Sequence, residues 1–348
     1  MRLRFVFFGK AITTSVIFFF SGALSLFAAG SPILDGCPVF PANNIWNTSV
    51  DTLPVDTLSG QYIASIGGNA TLHPDFGQPY MEGGRLMPIG IPYVVVPGAQ
   101  TKVAVSFDYA DESDPGPYPI PPDAPIEGVP DWDPDYDGDR HVLVLDKDNC
   151  MLYETFYSWP NADGSWSAGS GAVFDLRSNA LRPDGWTSAD AAGLPILPGL
   201  VRYDEVVAGE INHAIRFTVA QTRSAYVWPA RHYASSLTSS TYPPLGQRFR
   251  LKASFDISGF TQPMQVILQA MKKYGIILAD NGSNWYISGT SDNRWDNDML
   301  VTGFNQLKGS DFEAVDVSTL MVDPNSGQAK QPGGRSQPWL FLLLRNSP

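Results

Sequence analysis

The chain has 348 residues, 43% of them hydrophobic, which is ample for a buried core in one large domain or two small ones. Its formal net charge is −12, from 35 acidic against 23 basic residues. Such an acidic chain argues against the broad basic face that nucleic-acid phosphates require, while leaving room for a local basic pocket.

Residues 1–30 have the form of a secretory signal. Arg2, Arg4 and Lys10 make a basic start, residues 11–27 an apolar run, and Ala28, Ala29 and Gly30 a small-residue cleavage site. Retention of this segment as an N-terminal anchor is the alternative. Cleavage leaves residues 31–348 as a secreted chain, extracellular or periplasmic, with no composition break that divides it. No later run is long and apolar enough to span a bilayer. In an oxidising compartment the only two cysteines, Cys37 and Cys150, are most simply a disulfide tying the N-terminal arm to the central strands.

After the arm, residues 57–66 suit a short helix and residues 67–87 read as loop. Strands are expected at 93–96 and 103–109, where Val103, Val105 and Phe107 alternate. Residues 111–139 are dense in Pro and Asp and read as a loop. Residues 141–145 and 151–157 predict a hairpin, and 173–176 a further strand. Thr187 or Ser188 could cap a brief helix that Gly193 stops. Strands follow at 214–219, 225–228 and 248–253. The best helix is 263–274: Met264, Ile267, Leu268 and Met271 share one face, Pro263 sits in the first turn, and Gly275 follows. Residues 276–279 read as a buried strand, and 338–344 as the last. Many short strands, frequent Pro and Gly turns and one clear amphipathic helix predict a mainly β chain, a single β-sandwich or barrel-like domain. An α+β fold with a mixed sheet is the alternative.

Chemistry concentrates in residues 174–232. His213 and His232 lie at strand ends beside Arg216 and Arg231, where such folds display ligand groups. Imidazole can take a proton near neutral pH, and a nearby guanidinium can hold a carboxylate. That combination suits β-elimination on a uronic-acid polymer, with His213 or His232 as base, Arg231 or Arg202 neutralising the substrate and Tyr233 as acid. A competing hydrolase would use two of Asp175, Asp190 and Glu205 as acid and base. Structural alternatives stand beside these: Asp190 in a short capped helix, Glu205 in the first turn of a helix at 203–208. Any histidine alone is more often a hydrogen-bonded structural residue. His141 opens a strand directly after Asp139 and Arg140, and no histidine has metal-motif spacing.

The alternating Asp131, Asp133, Asp135, Asp137 and Asp139 could converge on calcium, though without an EF-hand register; a solvated acidic loop is the plainer reading. No serine lies in a Gly-x-Ser-x-Gly elbow. Trp186, Trp228, Trp285 and Trp295 could stack on sugar rings, the last two bracketing an Asn- and Asp-rich segment, and Asp280, at the end of the buried strand before it, could bind substrate beside them. Packing in the core is the alternative for each.

Residues 188–195, together with Lys273, Tyr274, Gly275 and residues 279–282, resemble a group of secreted bacterial proteins. The resemblance implies a compartment and assigns no catalytic residue. The reading is an extracellular polysaccharide-active enzyme, lyase or glycoside hydrolase, with a loop-built site in residues 174–232 and 280–295. The alternatives are a non-catalytic carbohydrate-binding or surface-adhesion protein and a structural envelope component. Convergence of His213, His232, Arg231 and a carboxylate in one pocket would favour the enzyme.

Overall fold

The computed structural model describes residues 30–130 and 133–330. The signal segment, Asp131 and the expected strand at 338–344 lie outside the described residues. The helices are α1 (Ser59–Ile66), α2 (Tyr203–Ala208), α3 (Gln262–Lys273) and α4 (Asn297–Phe304). The strands that build the two larger sheets are β1 (His73–Asp75), β2 (Tyr93–Val96), β3 (Val142–Asp146), β4 (Met151–Phe156), β5 (Ser170–Asp175), β6 (Ile215–Val219), β7 (Arg248–Leu251), β8 (Ile276–Asn281), β9 (Tyr286–Ser288) and β10 (Phe312–Val315).

One sheet has four strands in the order β5-β4-β3-β2. β3 and β4 form the expected hairpin, and β2 joins β3 in parallel. All five residues of β3 are buried because both faces of the sheet are covered. Leu143 and Leu145 enter the main core, while Val142 and Val144 enter a smaller cluster with Tyr118, Tyr153 and Trp166. The other sheet has six strands in the order β10-β7-β8-β6-β9-β1. It is mixed: β6 pairs with β8 in parallel and with β9 antiparallel. Among the described residues every sheet is open and none closes into a barrel. The mixed-sheet alternative therefore describes the chain, and the barrel expectation is corrected. Sequence periodicity gives strand faces but not pairing direction, so parallel pairs such as β6 with β8 were not legible in it.

α3 forms where expected, and its Met264, Ile267, Leu268 and Met271 are all buried. Other expectations change. β1 and the small hairpin Tyr80–Glu82 with Arg85–Met87 lie in the stretch read as loop. Pro74 is tolerated because β1 is an edge strand, where a missing N–H need not break a ladder. Residues 225–228 make only the bridge between Tyr226 and Leu245. Residues 187–192 are not helical, because neighbouring elements take up their backbone groups: Ala192 donates to the Ala279 carbonyl and accepts from Arg231. Among the described residues, no helix is long and apolar enough to cross a membrane.

Cys37 and Cys150 form the disulfide, 113 residues apart in sequence. Both are buried beside the four-stranded sheet. Loop-closure entropy makes such a bond worth about 4–5 kcal/mol. The double variant Cys37→Ala/Cys150→Ala should lose stability of that order in urea unfolding; a loss under about 1 kcal/mol would show that the arm is held by packing alone.

Candidate active site

Residues 188–201 run between the two sheets, and their backbone is the scaffold of the site. From the four-stranded side, Glu154 on β4 accepts hydrogen bonds from the Ile196 N–H at 2.9 Å and the Leu197 N–H at 2.9 Å. Ser170 on β5 donates to the Ser188 carbonyl at 2.6 Å. From the six-stranded side, Arg216 on β6 grips Asp190 through two nitrogens, Nε lying 2.8 Å from Oδ2. The β6–β8 register skips Ala279, and its freed carbonyl receives the Ala192 N–H at 2.9 Å. Gly193 closes the segment at φ +68°; a Cβ there would sit 2.5 Å from the Trp186 carbonyl oxygen, so only glycine fits.

Above this scaffold opens a pocket of about 380 Å³ whose walls include Tyr109, Glu112, Asp139, Phe156, Asp190, His232, Asp280 and Asn281. The Asp190 and Asp280 carboxyls are neighbours at its floor. Asp190 is fully buried and satisfied by Arg216, whose Nη1 also donates to Ser288 Oγ. Asp280 keeps 22% side-chain exposure. Its Oδ2 accepts from the Ala191 N–H at 3.1 Å and its Oδ1 from the Asn281 N–H at 2.6 Å. Burial, and then the neighbouring Asp190 charge, push its carboxyl up to about 7 against the pull of Arg216. Two carboxyls in one site, with environments that differ in this way, is the pattern by which an acid is kept protonated near neutrality.

His232 stands on the rim. Its Nδ1 donates to the Ala191 carbonyl at 2.8 Å, so Ala191 fixes both His232 and Asp280 through its two backbone groups. Nε2 faces Glu112 Oε2 at 3.7 Å, and the ring is 25% exposed. Glu112 is oriented in turn by the Thr187 N–H, 3.1 Å away. No lysine or arginine is among the described residues that line the pocket.

A second set of groups adjoins the same wall. Glu127, Asp139 and His141 each present a possible metal-ligating atom, all within 4.8 Å of one another. Buried His141 is paired with Glu127. Burial alone would lower the His141 pKa, but the Glu127 carboxylate raises it to about 9. Asp75 on β1 is close enough to feel this group: burial, then the Glu127 charge, raise its carboxyl to about 6.

The sequence-selected residues fall into two groups. Asp190, His232 and Asp280 come together in the pocket, joined by Asp139 from the acidic loop. The others are elsewhere. His213 is fully buried, its Nδ1 donating to the Ala214 carbonyl at 2.7 Å and its Nε2 lying 3.1 Å from Arg202 and 3.2 Å from Glu205. Arg202 and Glu205 pair with each other; burial raises the Glu205 pKa, but Arg202 and His213 win and hold it near 2 (about 2). A cavity of about 360 Å³ is lined by Arg202 and Glu205, yet these two already satisfy one another. Arg231 is buried and donates to the carbonyls of Arg182 and Pro324. Tyr233 is exposed and stacks on Tyr226 and His232 outside the pocket. Asp175 ends β5 in solvent, accepting from the Arg177 N–H.

None of the four tryptophans walls the pocket. Trp285 packs among Phe217, Phe249 and Phe312, its indole N–H satisfied by the Gly67 carbonyl. Trp295 is buried against Phe76 and Tyr203. Trp228 donates to the Ser326 carbonyl at 2.8 Å, and Trp186 lies under the Arg182 guanidinium. Of the alternating aspartates, only Asp139 converges with other metal-capable groups among the described residues; Asp133, Asp135 and Asp137 do not. Glu112, Glu127 and Asp75 were not selected from sequence. The one available signal was the Asp139, Arg140, His141 run, which places a carboxylate and an imidazole two residues apart.

No family model, curated protein or solved structure matches the chain. The pocket's chemistry therefore rests on its own geometry.

Removing Arg216 would strand a buried charge. Arg216→Met should cost about 3–5 kcal/mol in urea unfolding, because Asp190 keeps its burial and loses its partner. A cost below about 1 kcal/mol would mean that Asp190 is neutral or hydrated without it.

Proposed function

We propose that the protein is a secreted hydrolase acting on neutral glycans, with Asp280 as general acid and the Glu112–His232 pair as the group that activates water. The observation that carries this reading is the pair of neighbouring carboxyls lining an open pocket, Asp190 gripped by Arg216 and Asp280 anchored by the Ala191 N–H, with burial pushing the Asp280 carboxyl up to about 7. A protonated carboxyl can give its proton to a departing glycosidic oxygen. Asp190 and Arg216 act as positioning residues beneath it. Tyr109 and Phe156 supply aromatic surface of the kind sugar rings stack on. The secreted placement is supported by the N-terminal signal pattern and by the disulfide.

The pocket's charge argues for a neutral substrate. Its walls carry Glu112 and Asp139 and, among the described residues, no lysine or arginine, so a uronate would find no countercharge there. Arg202 and Arg231, which a lyase would need on the substrate, are both committed to buried partners. A flat aromatic binding face has no support either, since Trp285 and Trp295 are core residues.

The test is release of reducing ends from a panel of neutral polysaccharides. Asp280→Asn keeps an oxygen for the Ala191 N–H and removes the proton, so kcat should fall about 10²–10⁴-fold with little change in fold. In the wild type, kcat should fall as pH rises through about 7, because the acid form of Asp280 is then lost. Activity that survives Asp280→Asn, or a rise in 235 nm absorbance on uronate polymers instead, would overturn the reading.

A further inference from the structure

The group beside the pocket is built as a ligand set rather than as an incidental acidic patch. Glu127, Asp139 and His141 bring two carboxylates and one imidazole together, with ligand atoms within 4.8 Å of one another. The His141 ring is fixed from its far side. Its Nε2 lies 3.0 Å from the Ala189 carbonyl, which can only accept, so Nε2 carries a hydrogen and Nδ1 is the atom turned to Glu127. An imidazole whose remote N–H is held by a backbone carbonyl is the outer-shell arrangement of metal-bound histidine. Glu127 is held alongside by its own N–H, which donates to the His141 carbonyl at 3.0 Å.

The cation between the two ligands is directed elsewhere. Arg140, at φ +49°, buries its guanidinium over Trp159, with 3.6 Å to the ring centroid. Its Nε donates to the Ser158 carbonyl at 3.0 Å and its Nη1 to the Tyr136 carbonyl at 2.8 Å. The residue linking Asp139 to His141 thus spends its charge on the loop's backbone and leaves their ligand atoms free of it.

We infer that Glu127, Asp139 and His141 bind one first-row divalent metal ion, with zinc the natural probe. Calcium prefers six to eight oxygen ligands, whereas an imidazole with two carboxylates suits zinc and its neighbours. Three protein ligands leave at least one position for water or substrate. Asp139 lines the pocket, so that position can open toward it. Bonds of about 2 Å in a tetrahedral site bring ligand atoms to roughly 3–3.5 Å of each other, so the group must close by about an ångström. The exposed Asp139 side chain is free to make that movement. The inference goes beyond the acid–base reading and does not depend on it, because neither Asp190 nor Asp280 is a ligand.

The experiment is calorimetric titration of chelator-stripped full-length protein with zinc, repeated with cobalt while its visible d–d bands are followed. One equivalent should bind. Asp139→Asn, at an exposed position, should weaken binding by about tenfold or more, and His141→Ala should abolish it and the cobalt bands. Circular dichroism checks that each variant is folded; if His141→Ala fails to fold, Asp139→Asn decides. No uptake by the wild type would overturn the inference. So would uptake that the folded variants leave unchanged, which would put the ion elsewhere, for instance on the turn carrying Asp133, Asp135 and Asp137. The readout involves no glycan, so this result stands apart from the outcome of the hydrolase test.

Discussion

Asp190 is wholly removed from water and is held by Arg216, itself almost fully buried, through two nitrogens. Taking both charges out of water costs several kcal/mol per ion, and the pair recovers this only through close geometry and full hydrogen bonding. Both conditions are met: Arg216 spends its third nitrogen on Ser288, and Asp190 faces Arg216 on one side and Asp280 on the other. The pair fixes residues 188–193 against β6. From that fixed segment, Ala189 orients His141, and Ala191 orients both Asp280 and His232. A loop without regular structure thereby acquires the rigidity that acid–base groups need.

The two sheets share this work. Glu154 anchors the segment's later half from the four-stranded sheet, a buried carboxyl pushed up to about 7 by desolvation despite its two N–H donors. Arg216 and Ala279 anchor the earlier half from the six-stranded sheet. The skipped pairing at Ala279 gives up a ladder bond and uses the freed carbonyl to join the loop to β8. The pocket therefore lies where the two sheets meet, and ionisable groups arrive there from both.

Local signals were legible in the sequence. α3 was visible in the spacing of Met264, Ile267, Leu268 and Met271, the β3–β4 hairpin in two strand-forming runs joined by the polar turn at 146–149, and the disulfide in the count of two cysteines. Asp190, His232 and Asp280 also belonged to the stretches singled out, because polar groups beside Pro and Gly turns mark shaped loops. Pairing was not legible. Glu112 and Glu127 lie in a Pro-rich stretch with no periodicity, and only the tertiary fold brings them to His232 and His141. Trp285 and Trp295 sit among Asn and Asp in sequence, yet each indole N–H finds a backbone carbonyl and the ring is buried. His213 and Arg231 follow the same rule: a polar residue at a strand end served a buried network because partners distant in sequence were waiting for it.

The proposed acid role requires a proton on Asp280 beside Asp190 near neutral pH. The most direct measurement is a pH titration of the aspartate carboxyl carbons by NMR on ¹³C-labelled protein. One aspartate resonance should titrate at about 7 and vanish in Asp280→Asn. If no aspartate outside the Glu127–Asp139–His141 group other than Asp75 titrates above about 5, and Asp280→Asn removes no resonance titrating near 7, Asp280 is ionised near neutrality and cannot be the acid.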